Sequence, residues 1–129
     1  MFSIRLGIPE VEEYWSNLKS KVVNKQANKT DEIKYKKLGS TFKKLSDNPK
    51  YPGLCSHEIR VLTKRYGMKV FESYIENNKP KAGRIFWVYG PDKKDITIIG
   101  IEPHPDDKSN SYEKIVLSYV ERHKNTEWH

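Results

Sequence analysis

The sequence predicts an α+β fold in which a helical hairpin packs on a mostly antiparallel sheet. Two observations support this fold class. Apolar residues recur at helical spacing through residues 9–47, and segments rich in β-branched and aromatic residues follow between residues 58 and 101. Helices followed by a run of strands, rather than a strict alternation of the two, are typical of α+β proteins.

A short strand and two helices account for the first 47 residues. Residues 2–6 alternate apolar and polar side chains, as a half-buried strand does. Pro9 and the glutamates after it begin the first helix, whose apolar stripe contains Val11, Trp15, Leu18 and Val22. Residues 30–32 begin the second helix, whose stripe contains Tyr35, Leu38, Phe42 and Leu45. Each stripe is too narrow to be stable alone, so both helices must pack on the strands that follow. We expect the helices to cover one face of the sheet.

Four strands and a last helix complete the prediction. The strands are predicted at residues 58–63, 68–75, 84–89 and 96–101. The turn Gly90-Pro91-Asp92-Lys93 joins the last two as a hairpin. Apolar residues at helical spacing then predict a C-terminal helix. We therefore expect one domain over residues 1–129, with the helical hairpin at 9–47, the sheet at 57–102 and the C-terminal helix at 110–123.

The composition is that of a folded chain with one strongly basic segment. The chain has 129 residues, of which 36% are hydrophobic and 32% charged, and its formal net charge is +7. Residues 19–50 contain ten lysines and three acidic residues, an excess that equals the whole net charge. These lysines, including Lys36, Lys37, Lys43 and Lys44, predict a docking surface for nucleic-acid phosphates or for an acidic partner protein.

Several functional classes lack their sequence signatures. No apolar run reaches the roughly 18–20 residues that span a membrane, and the N-terminus lacks the pattern of a secretory signal. The single Cys55 cannot form an internal disulfide, and we expect a cytoplasmic protein. Cys55 and His57 lie too close along the chain to indicate a catalytic pair. Metal-ligand spacings and the P-loop, dinucleotide and serine-hydrolase motifs are absent, so we expect no cofactor.

Three residues are candidates for chemistry. Arg84 begins the strongest strand, where its guanidinium could bind a phosphate or close the sheet by an ion pair. His104, between two prolines after the last strand, could act as a general acid near neutral pH or belong to an ordered turn. Tyr112 begins the last helix, where it could orient a phosphate, stack on a base or pack in the core.

The order of these residues resembles the RelE/ParE toxin superfamily, the toxin half of bacterial type II toxin–antitoxin pairs. The matching segments are LSDNPKYPGLCSHEI (45–59), AGRIFWVYGPDKKDITIIGIEPHPDD (82–107) and SYEKI (111–115). Within them, the family pattern falls on Leu45, Asn48-Pro49, Arg84-Ile85, His104 and Tyr112. The resemblance implies a strand, a helical hairpin and a twisted antiparallel sheet, which is the order that the periodicity predicts.

The resemblance also implies an activity. RelE-type members cut mRNA in the ribosomal A site without a metal, by attack of a ribose 2′-OH on the adjacent phosphate. Carried over to this chain, the family pattern implies that Arg84 stabilises the phosphate, His104 acts as acid or base, and Tyr112 orients the substrate. It further implies phosphate binding by Arg60, Lys64 and Arg65, taken as basic residues of the sheet. Glu58 is a candidate base, with a salt-bridge role as the alternative.

The partners implied by the resemblance are a cognate antitoxin, mRNA and the ribosome, whose 16S and 23S RNA the hairpin lysines would contact. Two alternative functions remain open at this point. A ParE-type protein would inhibit DNA gyrase by protein contact without cutting RNA. An inactive basic domain on the same scaffold would only bind RNA or protein.

Overall fold

The computed structural model describes residues 1–7, 9–76, 83–102 and 126–127. Over these residues the chain forms a mixed sheet with helices on both of its faces. The helices are α1 (Pro9–Val23), α2 (Lys29–Asp47) and α3 (Arg60–Tyr66), with a 3₁₀ turn at Pro52–Leu54. The strands are β1 (Ser3–Leu6), β2 (His57–Glu58), β3 (Phe71–Tyr74), β4 (Arg84–Tyr89), β5 (Asp95–Glu102) and β6 (Thr126–Glu127).

The strands lie in the order β2-β3-β4-β5-β1-β6, and the final strand is only two residues long. β1 runs parallel to β5, with Ile4 opposite Ile96, and every other neighbouring pair in this sheet is antiparallel. The predicted α+β class is therefore confirmed. The N-terminal strand lies inside the sheet, so the first residues of the chain contribute to the core.

Both predicted hairpin helices form, and they cover one face of the sheet. The α1 side chains Val11 and Trp15 pack with α2 residues and with strand residues in one core, which includes Leu38, Phe42, Leu45, Ile85, Trp87, Ile96 and Ile98. Asn28 begins α2 with a capping box, because its side chain accepts from the Asp31 amide while the Asp31 carboxylate accepts from the Asn28 amide. The hairpin thus packs as its apolar stripes predict.

The predicted strand over residues 58–63 is wrong, because only His57–Glu58 is extended and α3 follows at once. The alternation of Ile59 and Val61 suggested a strand, yet Val61 is exposed. The buried pair is instead Ile59 and Leu62, three residues apart, as on one side of a helical turn. Gly67 ends α3 in the left-handed conformation, with φ 71°.

The short helix α3 covers the face of the sheet opposite the hairpin, so the expectation that helices cover a single face is also wrong. Its core contains Ile59, Leu62, Val70, Phe86, Val88 and Ile99. The register shifts by one residue of β5 between Phe86, opposite Gly100, and Trp87, opposite Ile98. Ile99 joins the α3 core while Ile98 joins the hairpin core. The sheet is therefore buried on both faces.

The remaining strand predictions hold with small changes of boundary. β4 spans the predicted residues 84–89, β5 extends the predicted 96–101 by one residue at each end, and β3 is shorter than the predicted 68–75. The antiparallel pairing of β4 with β5 confirms the predicted hairpin. The predicted C-terminal helix at 110–123 lies outside the described residues.

Candidate functional site

Arg84 is buried at the start of β4, and its guanidinium is paired with a carboxylate. The residue is 7% exposed, and its Nη1 donates to Oε2 of Glu72 across 3.2 Å. The guanidinium carbon also lies 5.9 Å from the ring centre of Phe86 on the same strand face. The ion-pair alternative for Arg84 is thus present in the structure, inside the protein rather than at its surface.

Glu72 joins this buried cation to a half-exposed imidazole. Glu72 is 1% exposed, and its second oxygen, Oε1, lies 3.1 Å from Nε2 of His57, whose side chain is 44% exposed. Nδ1 of His57 lies 2.7 Å from the carbonyl oxygen of Cys55. Both imidazole nitrogens therefore face acceptors, which fixes the orientation of the ring. We call Arg84, Glu72 and His57 the Arg84 cluster.

Tyr74 stands beside this cluster on the same face of β3. Its ring lies edge-on to the His57 ring, with centroids 6.1 Å apart, and it is directly opposite Arg84 in the sheet. Burial raises the pKa of Tyr74, the negative charge of Glu72 and the neighbouring Cys55 raise it further, and Arg84 lowers it. The phenol is therefore neutral near pH 7 and can donate a hydrogen bond at the edge of the cluster.

Sequence reasoning identified Arg84 but missed Glu72, His57 and Tyr74. The available signal was Glu72, a carboxylate in the middle of the predicted strand 68–75, which needs a cation if that strand is buried. His57 contacts Cys55 through the Cys55 carbonyl oxygen, whereas the Cys55 thiol lies 3.5 Å from the carbonyl oxygen of Pro52. Glu58, the candidate base, is half-buried in β2. It lies opposite Phe71 of β3, whereas its neighbour His57 lies opposite Glu72.

The structure divides the predicted docking lysines, with Lys19 and Lys21 on α1 and six others on α2, where five of them form one surface. Lys29, Lys36 and Lys43 are spaced two helical turns apart on the side away from the buried residues Leu38 and Leu45. Adjacent to this row are Lys37 and Lys44. We call Lys29, Lys36, Lys37, Lys43 and Lys44 the basic face of α2.

The contacts of the basic face are those of a solvated surface. Lys37 pairs with Glu76 at 3.0 Å, and Lys43 approaches Asp47 at 4.0 Å. The Lys44 ammonium lies 5.4 Å from the ring centre of Tyr51. Exposed pairs of this kind contribute about 0–1 kcal/mol, so an incoming polyanion can replace them at little cost.

The other predicted RNA-binding residues lie elsewhere. Arg60, Lys64 and Arg65 are exposed on α3, not on a strand as the sequence indicated, and Arg65 lies over the Tyr66 ring at 5.9 Å. Because α3 and α2 cover opposite faces, the sheet separates this set from the basic face of α2. His104 and Tyr112 lie outside the described residues, so Arg84 is the only predicted catalytic residue that the structure describes.

Comparison of the chain with protein-family models, with curated proteins and with solved structures gives no match in any of the three. Within the part of the chain that the structure describes, no group of three or more His, Cys, Asp or Glu side chains could hold a metal ion. No helix among those same residues is long and apolar enough to cross a membrane. The features of the described residues that bear on function are therefore the basic face of α2 and the Arg84 cluster.

Proposed function

We propose that the protein is a RelE/ParE-like toxin, an mRNA endoribonuclease that acts on the ribosome, arrests translation and is neutralised by a cognate antitoxin. The observation that carries the proposal is the basic face of α2. It gathers four exposed lysines and the half-buried Lys44 on the outer side of one helix, as a protein that docks on an RNA backbone requires. The order of strand, helical hairpin and mostly antiparallel strands is also the order that the family resemblance implies.

The physical basis of docking is counterion release. Lysine ammonium groups are flexible point charges that contact phosphates without fixed geometry, which suits a surface that follows an RNA backbone. Each neutralised phosphate lowers the slope of log K against log salt by about 0.7 to 0.9. If all five lysines contact phosphate, we expect a slope of roughly −3 to −5 for ribosome association.

Cleavage in this proposal follows the family chemistry. Attack of a 2′-OH on the adjacent phosphate breaks the bond from phosphorus to the 5′-oxygen. It needs a base that takes the 2′-OH proton, a cation for the developing charge and an acid that protonates the leaving 5′-oxygen. Arg84 is the proposed cation, with Glu72 orienting its guanidinium. His104 and Tyr112 are proposed as the acid or base and the orienting residue on the resemblance alone, and Arg60, Lys64 and Arg65 as further phosphate contacts on the α3 side.

The test compares two double variants with the same change of charge. Lys36→Glu with Lys43→Glu alters the basic face, whereas Lys19→Glu with Lys21→Glu alters exposed lysines of α1. We expect the first pair to lose ribosome association and growth arrest, and the second to keep most of both. Primer extension on mRNA, from cells and from purified translating ribosomes, would report cleavage. Intact mRNA in both settings would contradict the nuclease proposal.

One observation favours a second candidate, the inactive basic RNA-binding domain. Arg84 is buried and already neutralised by Glu72, which is the arrangement of a structural ion pair. Such a domain would bind ribosomes with the salt dependence above, leave mRNA intact and cost the cell no growth. Double-strand breaks trapped on gyrase would instead identify a ParE-type activity.

A further inference from the structure

Among the residues that the structure describes, four aromatic rings cluster at the end of β4 opposite to Arg84. Tyr89, the last residue of β4, lies 5.0 Å from Trp87, 5.5 Å from Phe71 and 5.7 Å from Phe2, measured between ring centroids. Phe71 and Trp87 stack at 4.7 Å. Trp87 is fully buried, whereas Tyr89 is 45% exposed. The cluster therefore presents one exposed ring that is supported from the side by three others.

Lysines and the end of the basic face adjoin this cluster. The Lys94 ammonium lies 5.4 Å from the ring centre of Phe2, and Lys93 precedes it in the exposed β4–β5 turn. The Phe2 amide donates to the Ser46 carbonyl across 2.9 Å, and the Ser46 hydroxyl donates back to the Phe2 carbonyl across 2.6 Å. These two bonds attach the aromatic cluster to the last turns of α2, where the basic face ends.

We propose that Tyr89 is a stacking platform for a base of single-stranded RNA whose phosphates contact Lys93, Lys94 and the basic face of α2. The inference rests on the RNA-binding part of the proposed function and does not require cleavage. Aromatic rings beside a basic groove are how proteins bind single strands without reading their sequence, since every base has a face that can stack.

The surroundings of Tyr89 suit this role. Its neighbours hold the ring at an edge of the core, so little side-chain freedom remains to be lost when a base binds. Burial also raises the pKa of Tyr89, so the ring stays neutral beside phosphate near pH 7. An acidic peptide would use the lysines, but it would gain nothing specific from a base-sized platform. The occupant that uses both features is a single strand of nucleic acid.

The test measures binding of a labelled ten-nucleotide oligo(A) RNA and of an abasic strand of the same length and charge. The variants are Tyr89→Ala, which removes the ring, and Tyr89→Phe, which keeps it. Met68→Ala is the control, because Met68 is as exposed as Tyr89 but lies outside the cluster. Lys94→Glu and Lys19→Glu, which changes an exposed lysine of α1, form a second matched pair, and thermal unfolding verifies that each variant is folded.

We expect the wild-type protein to bind oligo(A) about tenfold or more tightly than the abasic strand. Tyr89→Ala should remove that preference, whereas Tyr89→Phe and Met68→Ala should keep it. Lys94→Glu should weaken both strands alike and more than Lys19→Glu does. The proposal is overturned if the wild type binds both strands equally or binds neither, or if Tyr89→Ala keeps the preference.

These outcomes separate the inference from the proposed function. A base preference that depends on Tyr89, together with intact mRNA on ribosomes, would keep the stacking site and remove the nuclease. Cleavage and growth arrest without any base preference would do the reverse, and the aromatic cluster would then be a candidate surface for a protein partner.

Discussion

Arg84 and Glu72 form a diagonal ion pair between β4 and β3, with Nη1 and Oε2 3.2 Å apart, and both residues are buried. Removing one partner of such a pair leaves an uncompensated charge in a medium of low dielectric constant, which costs about 3–5 kcal/mol. Replacing both partners with apolar side chains of similar size is often neutral, because the desolvation cost of both charges also disappears.

The first prediction concerns stability. Arg84→Met and Glu72→Met should each lower the free energy of unfolding by about 3 kcal/mol or more, and the double variant should recover most of that loss. His57 loses its carboxylate partner in the double variant, but its half-exposed ring can bind water instead. Urea denaturation measures all three values. Losses that simply add in the double variant would mean that the two charges do not stabilise each other.

This prediction affects any test of Arg84 in catalysis. Arg84→Ala should lose activity through unfolding even if the guanidinium never contacts a phosphate. Arg84→Lys keeps a positive charge beside Glu72 while removing the planar set of donors that a phosphate binds. Activity lost in a folded Arg84→Lys protein would therefore count for a role in chemistry, and retained activity would count against it.

Alkaline pH should weaken the fold partly through Tyr74. Its pKa in the folded protein is raised above the usual 10.0, first by burial and then by the charge of Glu72. Its contribution to stability is therefore complete below about pH 10 and is lost as the pH rises towards the folded pKa, because the unfolded chain releases the proton first. Between about pH 8 and pH 11, Tyr74→Phe should lose less unfolding free energy than the wild type. Tyr14 and Tyr89, whose pKa values burial also raises, should account for part of the remaining loss. Equal losses in the two proteins would contradict the assignment to Tyr74.

The strands and long helices could be predicted where one local pattern decides the structure. RIFWVY is apolar on both faces apart from Arg84 and is bounded by Gly83 and Gly90, so β4 has the predicted limits. The stripes of α1 and α2 could be predicted because four residues repeat over several turns. The strand prediction for residues 58–63 was wrong because Ile59 and Val61 alternate as in a strand. The helix α3 has only seven residues, too few for a clear helical period. The helix α3 is favoured because it buries Leu62 against the strand residues Phe86, Val88 and Ile99, which are far away in sequence.

The candidate site was predictable only in part for a similar reason. Arg84 could be singled out, since a charge within an apolar strand is unusual. Its partner Glu72 and the His57 that pairs with Glu72 come from two other strands, and the three residues meet because β2 pairs with β3 and β3 with β4. The register between these strands depends on how their side chains pack in the two cores on either face of the sheet. That packing cannot be predicted from local sequence patterns. The basic face of α2 was predictable because its lysines follow helical spacing along one element.

A second stability prediction concerns the indole of Trp87. Its Nε1 donates to the Ser73 hydroxyl across 2.8 Å, and Ser73 also shares a 2.6 Å hydrogen bond with Ser56. Ser73→Ala should cost about 1–3 kcal/mol of unfolding free energy, because a buried N–H group loses its acceptor. Ser56→Ala should cost less, since Ser73 still accepts from the indole and Ser56 is only half-buried. Similar losses in the two variants would indicate that the Ser73 hydroxyl stabilises the fold mainly through its hydrogen bond with Ser56 and not through its bond with the indole.

The final prediction tests α3, the element on which the sequence and the structure differ. Gly67 ends this helix at φ 71°, and a Cβ added there would meet no atom within 4 Å. Any cost of Gly67→Ala must therefore come from the left-handed backbone, and we expect about 1 kcal/mol in urea denaturation. Gly67→Asn should cost less, because asparagine tolerates this conformation better than alanine does. If residues 58–63 instead formed the predicted strand, no helix would end at Gly67 and the two variants would differ little. A clear advantage of asparagine over alanine would thus support the helix that carries Arg60, Lys64 and Arg65 on the face away from α2.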